Sequence, residues 1–363
     1  MRENTNVRTQ SFARAVKLSG ARCALFISLC CVALLFLCTI AACTSSPKQK
    51  HSKTGSAGAS GKKQSKTSAV GGDDKSVQPK VLARLEDASI DESSGLVASR
   101  RNGDMFWTHN DSGDDPFIFA FNRSGKRRGV WRVEGAKARD WEDIAIGPGP
   151  ERNRPYLYIG DIGDNRSARK EIIVYRVPEP AVEDLDDESS RKNPRLTEMA
   201  EVIRVQYPDG AHDAEALMVH PMSGDIYIAT KSVAPSAFIY KLSAPVSVDG
   251  VNTLIRVGEV SLPTPFATLI TGGDISPDGQ RVVLCDYFGA YELHLAAATN
   301  SGFDTIWEQP VVETSLGPRG QGEAVCYRLD GAAILATSEG RNSPLIEVEL
   351  RPPAKASAAG KKE

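Results

Sequence analysis

The sequence lacks a surplus of positive charge. Its 363 residues carry 44 Lys and Arg against 46 Asp and Glu, which gives a formal net charge of -2. Aromatic residues make up only 7% of the chain, and they do not alternate with basic residues as they do in proteins that stack single-stranded bases. We therefore expect no nucleic-acid partner.

The sequence also lacks the short motifs of several common enzyme classes. It contains no Gly-x-Ser-x-Gly nucleophile elbow, no phosphate-cradling glycine loop and no His-Glu-x-x-His metal motif. Its cysteines and histidines do not have the spacing of a zinc site. Whether the chain is an enzyme stays open on these grounds.

Charge is missing from one N-terminal segment. Residues 24–42 carry no charged side chain and are rich in Leu, Ile, Val, Phe and Cys. The basic residues in front of this segment are Arg2, Arg8, Arg14, Lys17 and Arg22. A basic region, an apolar run and small residues at its end are typical of an export signal. An uncleaved transmembrane helix is the alternative, because the run is nearly long enough to span a bilayer.

Residues 40–43 read Ile-Ala-Ala-Cys and resemble the lipobox of bacterial lipoproteins. In that family the cysteine receives a diacylglycerol thioether, the peptide is cleaved before it, and the new N-terminus is acylated. The resemblance implies a signal peptide over residues 1–42 and lipidation of Cys43. It also implies an extracytoplasmic protein held on the cell membrane by acyl chains, with the choice of inner or outer membrane open.

Composition divides the rest of the chain. Residues 43–79 hold the lipidated cysteine and a Gly/Ser/Lys-rich tether with too few apolar side chains to fold, and residues 354–363 form a similar tail. The predicted folded domain is residues 80–353. Of the 7 cysteines, only Cys285 and Cys326 lie in this domain, and either a disulfide or two buried thiols is compatible with an exported protein.

Short β-type runs recur within the folded domain. Five copies of a three-strand unit begin with SGLVAS, EDIAIG, EALMVH, GGDISPDG and EAVCYR. The runs VWRVE, EVIRVQY, LIRVGEVSL and TIWEQPVV supply a fourth strand between copies. Four strands make one propeller blade, and the early run VLARL fits as the outermost strand of the last blade. We predict an all-β, five-bladed propeller, with six blades as the alternative and residues 179–199 as an acidic surface insertion.

Several motifs within these repeats point to one family. They are HNDSG at 109–113, DWED at 140–143, GDIGDN at 160–165, SPDG at 276–279, QGEA at 321–324 and SEG at 338–340. With these motifs the chain resembles a bacterial family of exported propeller lipoproteins that has no established activity. A remoter similarity is to TolB-like and phytase-esterase-like propellers. These resemblances imply the architecture and leave the ligand open.

Aligning the repeats on their turn glycines gives one recurrent position at the start of each innermost strand. It is occupied by Ser94, Glu142, Glu215, Thr271 and Glu323. Carboxylates that converge at a channel mouth suit Ca²⁺, which takes six to eight oxygen ligands. The predicted calcium ligands are Glu142, Glu215, Glu323, Asp143 and Asp161. The alternative is that these carboxylates are buried and bonded to backbone amides, or belong to ordinary turns.

The ends of the second strands supply a further set of polar residues. The predicted binding residues are Asn110, Asp111, Asp164, Asn165, Lys231, Asp286 and Glu339. His109 and His212 stand beside acidic residues and are candidate general bases. Two functions fit these patterns: a binding module for a soluble ligand or an envelope partner, and a calcium-dependent hydrolase or lactonase at the channel mouth.

Overall fold

The computed structural model describes residues 78–182, 188–264, 268–296 and 302–350. The predicted signal peptide, Cys43, the tether and the C-terminal tail lie outside the described residues. Within the described ranges the chain is almost entirely β-structure, with a single short 3-10 helix. No helix in these ranges is long and apolar enough to cross a membrane.

The strands form five sheets, each built on four antiparallel strands as one blade of a propeller, and two of the sheets carry a fifth, short strand that pairs in parallel. The first strand, β1 (Lys80–Arg84), belongs to blade 5. Blade 1 contains β2 (Ser93–Ala98), β3 (Met105–Asn110), β4 (Phe117–Asn122) and β5 (Arg127–Arg132). Blade 2 contains β6 (Trp141–Pro148), β7 (Pro155–Asp161), β8 (Ile172–Pro178) and, after the short β9 (Arg195–Leu196), β10 (Glu201–Gln206).

The other three blades follow the same order along the chain. Blade 3 contains β11 (Ala214–Val219), β12 (Ile226–Thr230), β13 (Ala237–Leu242) and, after the short β14 (Val251–Thr253), β15 (Ile255–Val260). Blade 4 contains β16 (Gly272–Ile275), β17 (Arg281–Cys285), β18 (Gly289–His294) and β19 (Val312–Ser315). Blade 5 contains β20 (Gly322–Tyr327), β21 (Ala333–Ser338), β22 (Pro344–Glu349) and β1. The prediction of five blades is therefore confirmed, and six blades is wrong.

The ring is closed by the first strand. Strand β1 pairs antiparallel with β22, with Lys80 opposite Glu347 and Arg84 opposite Pro344. The innermost strands β2, β6, β11, β16 and β20 contact one another in turn around the axis, and β20 contacts β2. The prediction that VLARL completes the last blade is confirmed.

Burial explains why these runs form blades. The innermost strands β2, β11 and β20 are buried along their whole length, so their apolar side chains pack against both neighbouring blades. Trp107, Trp131 and Trp141 lie in one buried cluster between blades 1 and 2. In blades 3, 4 and 5 the turn between the first two strands uses a glycine in the left-handed region, as at Gly279 with φ of 67°, because side chains disfavour that conformation.

One of the predicted strands is wrong. The run TIWEQPVV is not a fourth strand: residues Phe303–Glu308 form the 3-10 helix, and β19 begins only at Val312. The predicted acidic insertion also contains a short strand. Strand β9 pairs parallel with β5, and the buried Ser189 accepts a hydrogen bond from the backbone of Val130. The insertion thus covers the outer edge of blade 1, while residues 183–187 lie outside the described residues.

A β-bulge recurs at the start of the innermost strand. The pairing register shifts between Ser93 and Gly95, Trp141 and Asp143, Ala214 and Ala216, and Gly322 and Ala324. Each shift leaves one residue outside the regular pairing, and these residues are Ser94, Glu142, Glu215 and Glu323. A bulge changes the direction of the side chain that it carries, so the recurrent position of the repeats coincides with a recurrent backbone feature.

Candidate functional site

The starts of the innermost strands and the ends of the second strands lie at the same end of the propeller. Trp141 at the start of β6 pairs with Asp161 at the end of β7, and Gly322 pairs with Ser338 in the same manner. We call this end the upper mouth and define it by Ser94, Glu142, Glu215, Thr271 and Glu323. The two groups of candidate residues that the repeats indicated separately therefore face one region.

Glu142 is the most isolated acid of the upper mouth. Its side chain is buried, with 3% of the residue exposed, and no described residue gives its carboxylate a hydrogen bond or an ion pair. Burial raises the pKa of Glu142 well above its usual value, and the negative charges of Glu215 and Asp111 raise it further. An unpaired buried carboxylate is costly, so this position favours a proton or an added cation.

Glu215 has one basic neighbour. Lys231 Nζ lies 2.5 Å from Glu215 Oε1 and 2.6 Å from the hydroxyl of Tyr287. The other carboxylate oxygen, Glu215 Oε2, is buried and has no hydrogen-bond partner. Burial raises the pKa of Glu215 to about 7 although Lys231 acts to lower it. The positive charge of Lys231 thus offsets only part of the negative charge of the carboxylates at the upper mouth.

Glu323 is held by an amide side chain. Gln321 Nε2 donates to Glu323 Oε1 over 2.9 Å and to Glu339 Oε1 over 2.7 Å. Burial raises the pKa of Glu323 to about 9, and the charge of Glu215 contributes to the rise. The neighbouring Glu339 also has a raised pKa, again chiefly through burial.

More acids surround these three glutamates. Burial raises the pKa of Asp140 to about 6, and the charge of Asp111 adds to this effect. The pKa of Asp111 is raised by burial too. Asp213 contributes its charge to Glu142, Glu215 and Asp140. Perturbed acids of this kind cluster at functional sites more often than elsewhere.

Asp143 and Asp161 differ from the glutamates in having protein partners. Asp143 Oδ2 accepts hydrogen bonds from the backbone amides of Leu217 at 2.9 Å and Gly273 at 3.3 Å. Asp161 Oδ1 forms an ion pair of 2.7 Å with Arg169, which is itself buried. These two carboxylates stabilise the fold, and Asp143 ties three blades together across the axis.

No metal cluster is preformed in the part of the chain that the structure describes. Among those residues, no three His, Cys, Asp or Glu side chains converge so as to hold a metal ion. Glu142, Glu215 and Glu323 lie close enough to influence one another electrostatically. Calcium binding by the predicted residues stays a prediction.

The two candidate bases lie in different environments. His109 is fully buried in β3, its Nδ1 lies 2.8 Å from the backbone oxygen of Asn110, and its Nε2 has no partner among the described residues. Burial lowers the pKa of His109 to about 4, so the ring is neutral at ordinary pH. His212 lies in a separate aromatic cluster, with Nε2 3.0 Å from Asp209 Oδ1 and 2.9 Å from the hydroxyl of Tyr240.

The predicted binding residues separate into two groups. Asp111, Lys231 and Glu339 lie at the upper mouth with the glutamates, as the interactions above show. Most of the others shape the loops: one side-chain oxygen of each of Asn110, Asp164 and Asp286 accepts two backbone amides of its own or a neighbouring turn. Asn165 is exposed in the loop after β7.

Some residues of the upper mouth were not among the predicted site residues. Gln321 and Tyr287 make the hydrogen bonds described above, and Phe288 beside Tyr287 is 80% exposed. A bulky aromatic residue in the tight turn DYFG is unusual, and it is the signal that identifies this rim. Gln321 lies within the QGEA motif, whose glutamate alone was assigned to the site.

Cys285 and Cys326 are both free and buried. Of the two possibilities left open by the sequence, the structure has the unpaired thiols. Cys285 Sγ lies 3.4 Å from the backbone oxygen of Glu323, so this thiol packs directly beneath the upper mouth.

Comparison with known proteins adds no family. No protein-family model matches this sequence, and no curated protein is significantly similar to it.

Proposed function

We propose that this chain is an extracytoplasmic binding module, anchored to the cell membrane through Cys43, that takes a cationic group of a soluble ligand or envelope partner at the upper mouth. The lipobox resemblance supports the anchoring and the location. The crowding of acids at the end of the propeller axis supports the place and the charge of the ligand. No catalytic step is needed for this function.

The carboxylate of Glu142 is the observation on which this proposal rests. Burial and the negative charge of Glu215 raise its pKa well above the usual value, and Glu215 Oε2 is buried with no hydrogen-bond partner among the described residues. Buried polar atoms are nearly always hydrogen-bonded in folded proteins. A cationic ligand with N–H donors would satisfy both carboxylates and offset their charge.

The rim of the mouth suits an organic cation. Lys231 Nζ lies 5.1 Å from the ring centroid of Tyr287, and the exposed ring of Phe288 lies next to it with a centroid distance of 6.5 Å. Aromatic rings attract organic cations through their negative faces. The ligand would therefore be held by carboxylates in the mouth and by apolar contacts on the rim.

Calcium is the second candidate ligand, and with it the hydrolase or lactonase function. Calcium would be bound by the same three glutamates, because it takes oxygen ligands that several blades would supply together. Asp143 and Asp161 are bonded to protein partners, which leaves the glutamates as the available ligands. The two candidates can be separated in one experiment.

The test measures the melting temperature of the full-length protein in detergent with arginine amide, with calcium chloride and with neither. A ligand at a hundredfold excess over Kd stabilises the native state by about 2.7 kcal/mol. We expect arginine amide to raise the melting temperature, and Glu142→Gln to abolish this rise. Glu313→Gln, an exposed change on β19, is the matched control.

Each outcome has a separate meaning. A rise with calcium alone that depends on Glu142 would favour the metal-dependent hydrolase or lactonase. A rise with arginine amide that survives in Glu142→Gln, or no rise with either cation, would contradict binding at the upper mouth.

A further inference from the structure

A cavity of about 390 Å³ opens at the opposite end of the propeller. Its lining includes Pro148 at the end of β6, Arg100 just after β2, and Pro221 just after β11. These are the ends of three innermost strands, whereas the upper mouth is formed by their starts. We call this space the lower cavity. Asp143 bridges the blades between the two, so the lower cavity and the upper mouth are separate sites.

The walls of the lower cavity are fixed by contacts within the protein. The hydroxyl of Tyr158 donates to the backbone oxygen of Pro148 over 2.5 Å. In the loop that follows, Arg154 forms ion pairs with Glu151 and with Glu198. The lining is thus held in place without a ligand, as is usual for small-molecule sites.

The charges of the lining do not balance. Glu151 is paired with Arg154 over 2.7 Å, so these two charges offset each other. The guanidinium groups of Arg100 and Arg152 have no ion pair or side-chain hydrogen bond with any described residue. The interaction between Arg100 and the buried Asp274 is electrostatic, without a hydrogen bond. The Asp274 oxygens instead accept the backbone amides of Ile275 and Tyr327. Two arginines are left to face the cavity.

We propose that the lower cavity binds a small organic anion, with its phosphate or carboxylate group between Arg100 and Arg152 and its compact apolar body against Pro148, Pro155 and Pro221. Guanidinium groups bind planar oxyanions through paired hydrogen bonds. A volume of about 390 Å³ falls in the range of roughly 300–1,000 Å³ that is common for ligand sites. The proline rings supply rigid apolar walls.

This site is independent of the function proposed for the upper mouth. It has the opposite charge, it lies at the other end of the axis, and it shares no residue with the glutamates. A failure of cation binding at the upper mouth would leave the anion site untouched, and the reverse also holds.

The test titrates the full-length protein in detergent with phenyl phosphate, benzoate and inorganic phosphate, using calorimetry. We expect phenyl phosphate or benzoate to bind more tightly than inorganic phosphate, because only these fill the apolar part. The first two probes separate a phosphate from a carboxylate ligand. Binding should weaken as sodium chloride is added, since the attraction is between charges.

Two variants locate the anion. Arg152→Gln should weaken binding about tenfold, the size expected for one charge-assisted hydrogen bond, and Arg100→Gln should have a similar effect. Arg166→Gln is the matched control, since Arg166 is an exposed arginine in the loop after β7 at the upper end. Arg152 is exposed, so its variant should keep the wild-type melting temperature.

The proposal is overturned if none of the three probes binds at millimolar concentration. It is also overturned if Arg152→Gln binds as tightly as the wild type, or if Arg166→Gln loses affinity to the same degree.

Discussion

Asp143 Oδ2 lies 2.9 Å from the backbone nitrogen of Leu217, and this hydrogen bond ties blade 2 to blade 3 at the centre of the ring. The other oxygen, Asp143 Oδ1, accepts the amide of Ile144 at 2.8 Å. Both oxygens act as acceptors, which an asparagine cannot reproduce because its NH₂ group donates.

Asp143→Asn should therefore destabilise the fold. We expect the free energy of unfolding to fall by about 2–3 kcal/mol, because a buried amide loses its acceptor. Denaturation of the full-length protein in urea measures the change. Asp249→Asn, in an exposed loop, should leave stability as it is. Equal stability of the two variants would show that the bond across the axis contributes little.

Removing Lys231 should show how strongly the buried negative charge of Glu215 destabilises the fold. Lys231→Met leaves Glu215 buried without a counter-charge, and breaking such a pair from one side costs about 3–5 kcal/mol. The loss should be largest at pH 8 and smaller at pH 5, where Glu215 can take a proton. The double variant Lys231→Met, Glu215→Gln should recover part of the stability. A single variant as stable as the wild type at pH 8 would contradict the pairing.

The raised pKa of Glu323 makes stability depend on pH in an unusual direction. The folded protein holds this proton up to a pKa of about 9, whereas the unfolded chain releases it near 4.5. Stability therefore falls as the pH rises from about 4.5 through about 9, since the folded state binds more protons in this window.

Glu323→Gln should flatten this decline, because the amide cannot ionise. Melting temperatures from pH 5 to pH 9, compared with those of Glu313→Gln, provide the measurement. If both variants lose stability with rising pH as steeply as the wild type, Glu323 is not the group responsible.

The buried cysteines should be inert until the protein unfolds. Burial raises the pKa of the Cys285 thiol to about 12, and Cys326 has a raised pKa for the same reason. We expect iodoacetamide to leave both residues unmodified in the native protein and to label both in guanidinium chloride, as read from the mass of the peptides that contain them. A disulfide-linked peptide pair in the unreduced protein would contradict the free thiols.

The propeller was predictable because its signals are local and repeated. Turn glycines such as Gly279 and the recurrent short strands gave the blade unit, and the lack of a partner for VLARL gave the closure. The run TIWEQPVV was misassigned because a short apolar segment fits a helical turn as well as a strand. The pairing of β9 with β5 is a contact between different blades, so no pattern within the insertion indicates it.

The site was predictable as a set of positions and not as a set of interactions. Repeat alignment brought Glu142, Glu215 and Glu323 to one end of the ring. It could not show that the Asp143 carboxylate would accept hydrogen bonds from backbone amides of other blades. Nor could it show that Lys231 would form an ion pair with Glu215. The lower cavity was missed because Arg100 and Arg152 lie in different blades and belong to no shared motif.

The pairing of β1 with β22 also sets an order of events for the growing chain. Strand β1 is made first among the described strands, and its partner Pro344–Glu349 is made last. The contact between Arg84 and Asn342 spans 258 positions of sequence, so it is among the slowest to form. During synthesis, Lys80–Arg84 therefore stays without its strand partner until Pro344–Glu349 has been made, and the ring cannot close before that point.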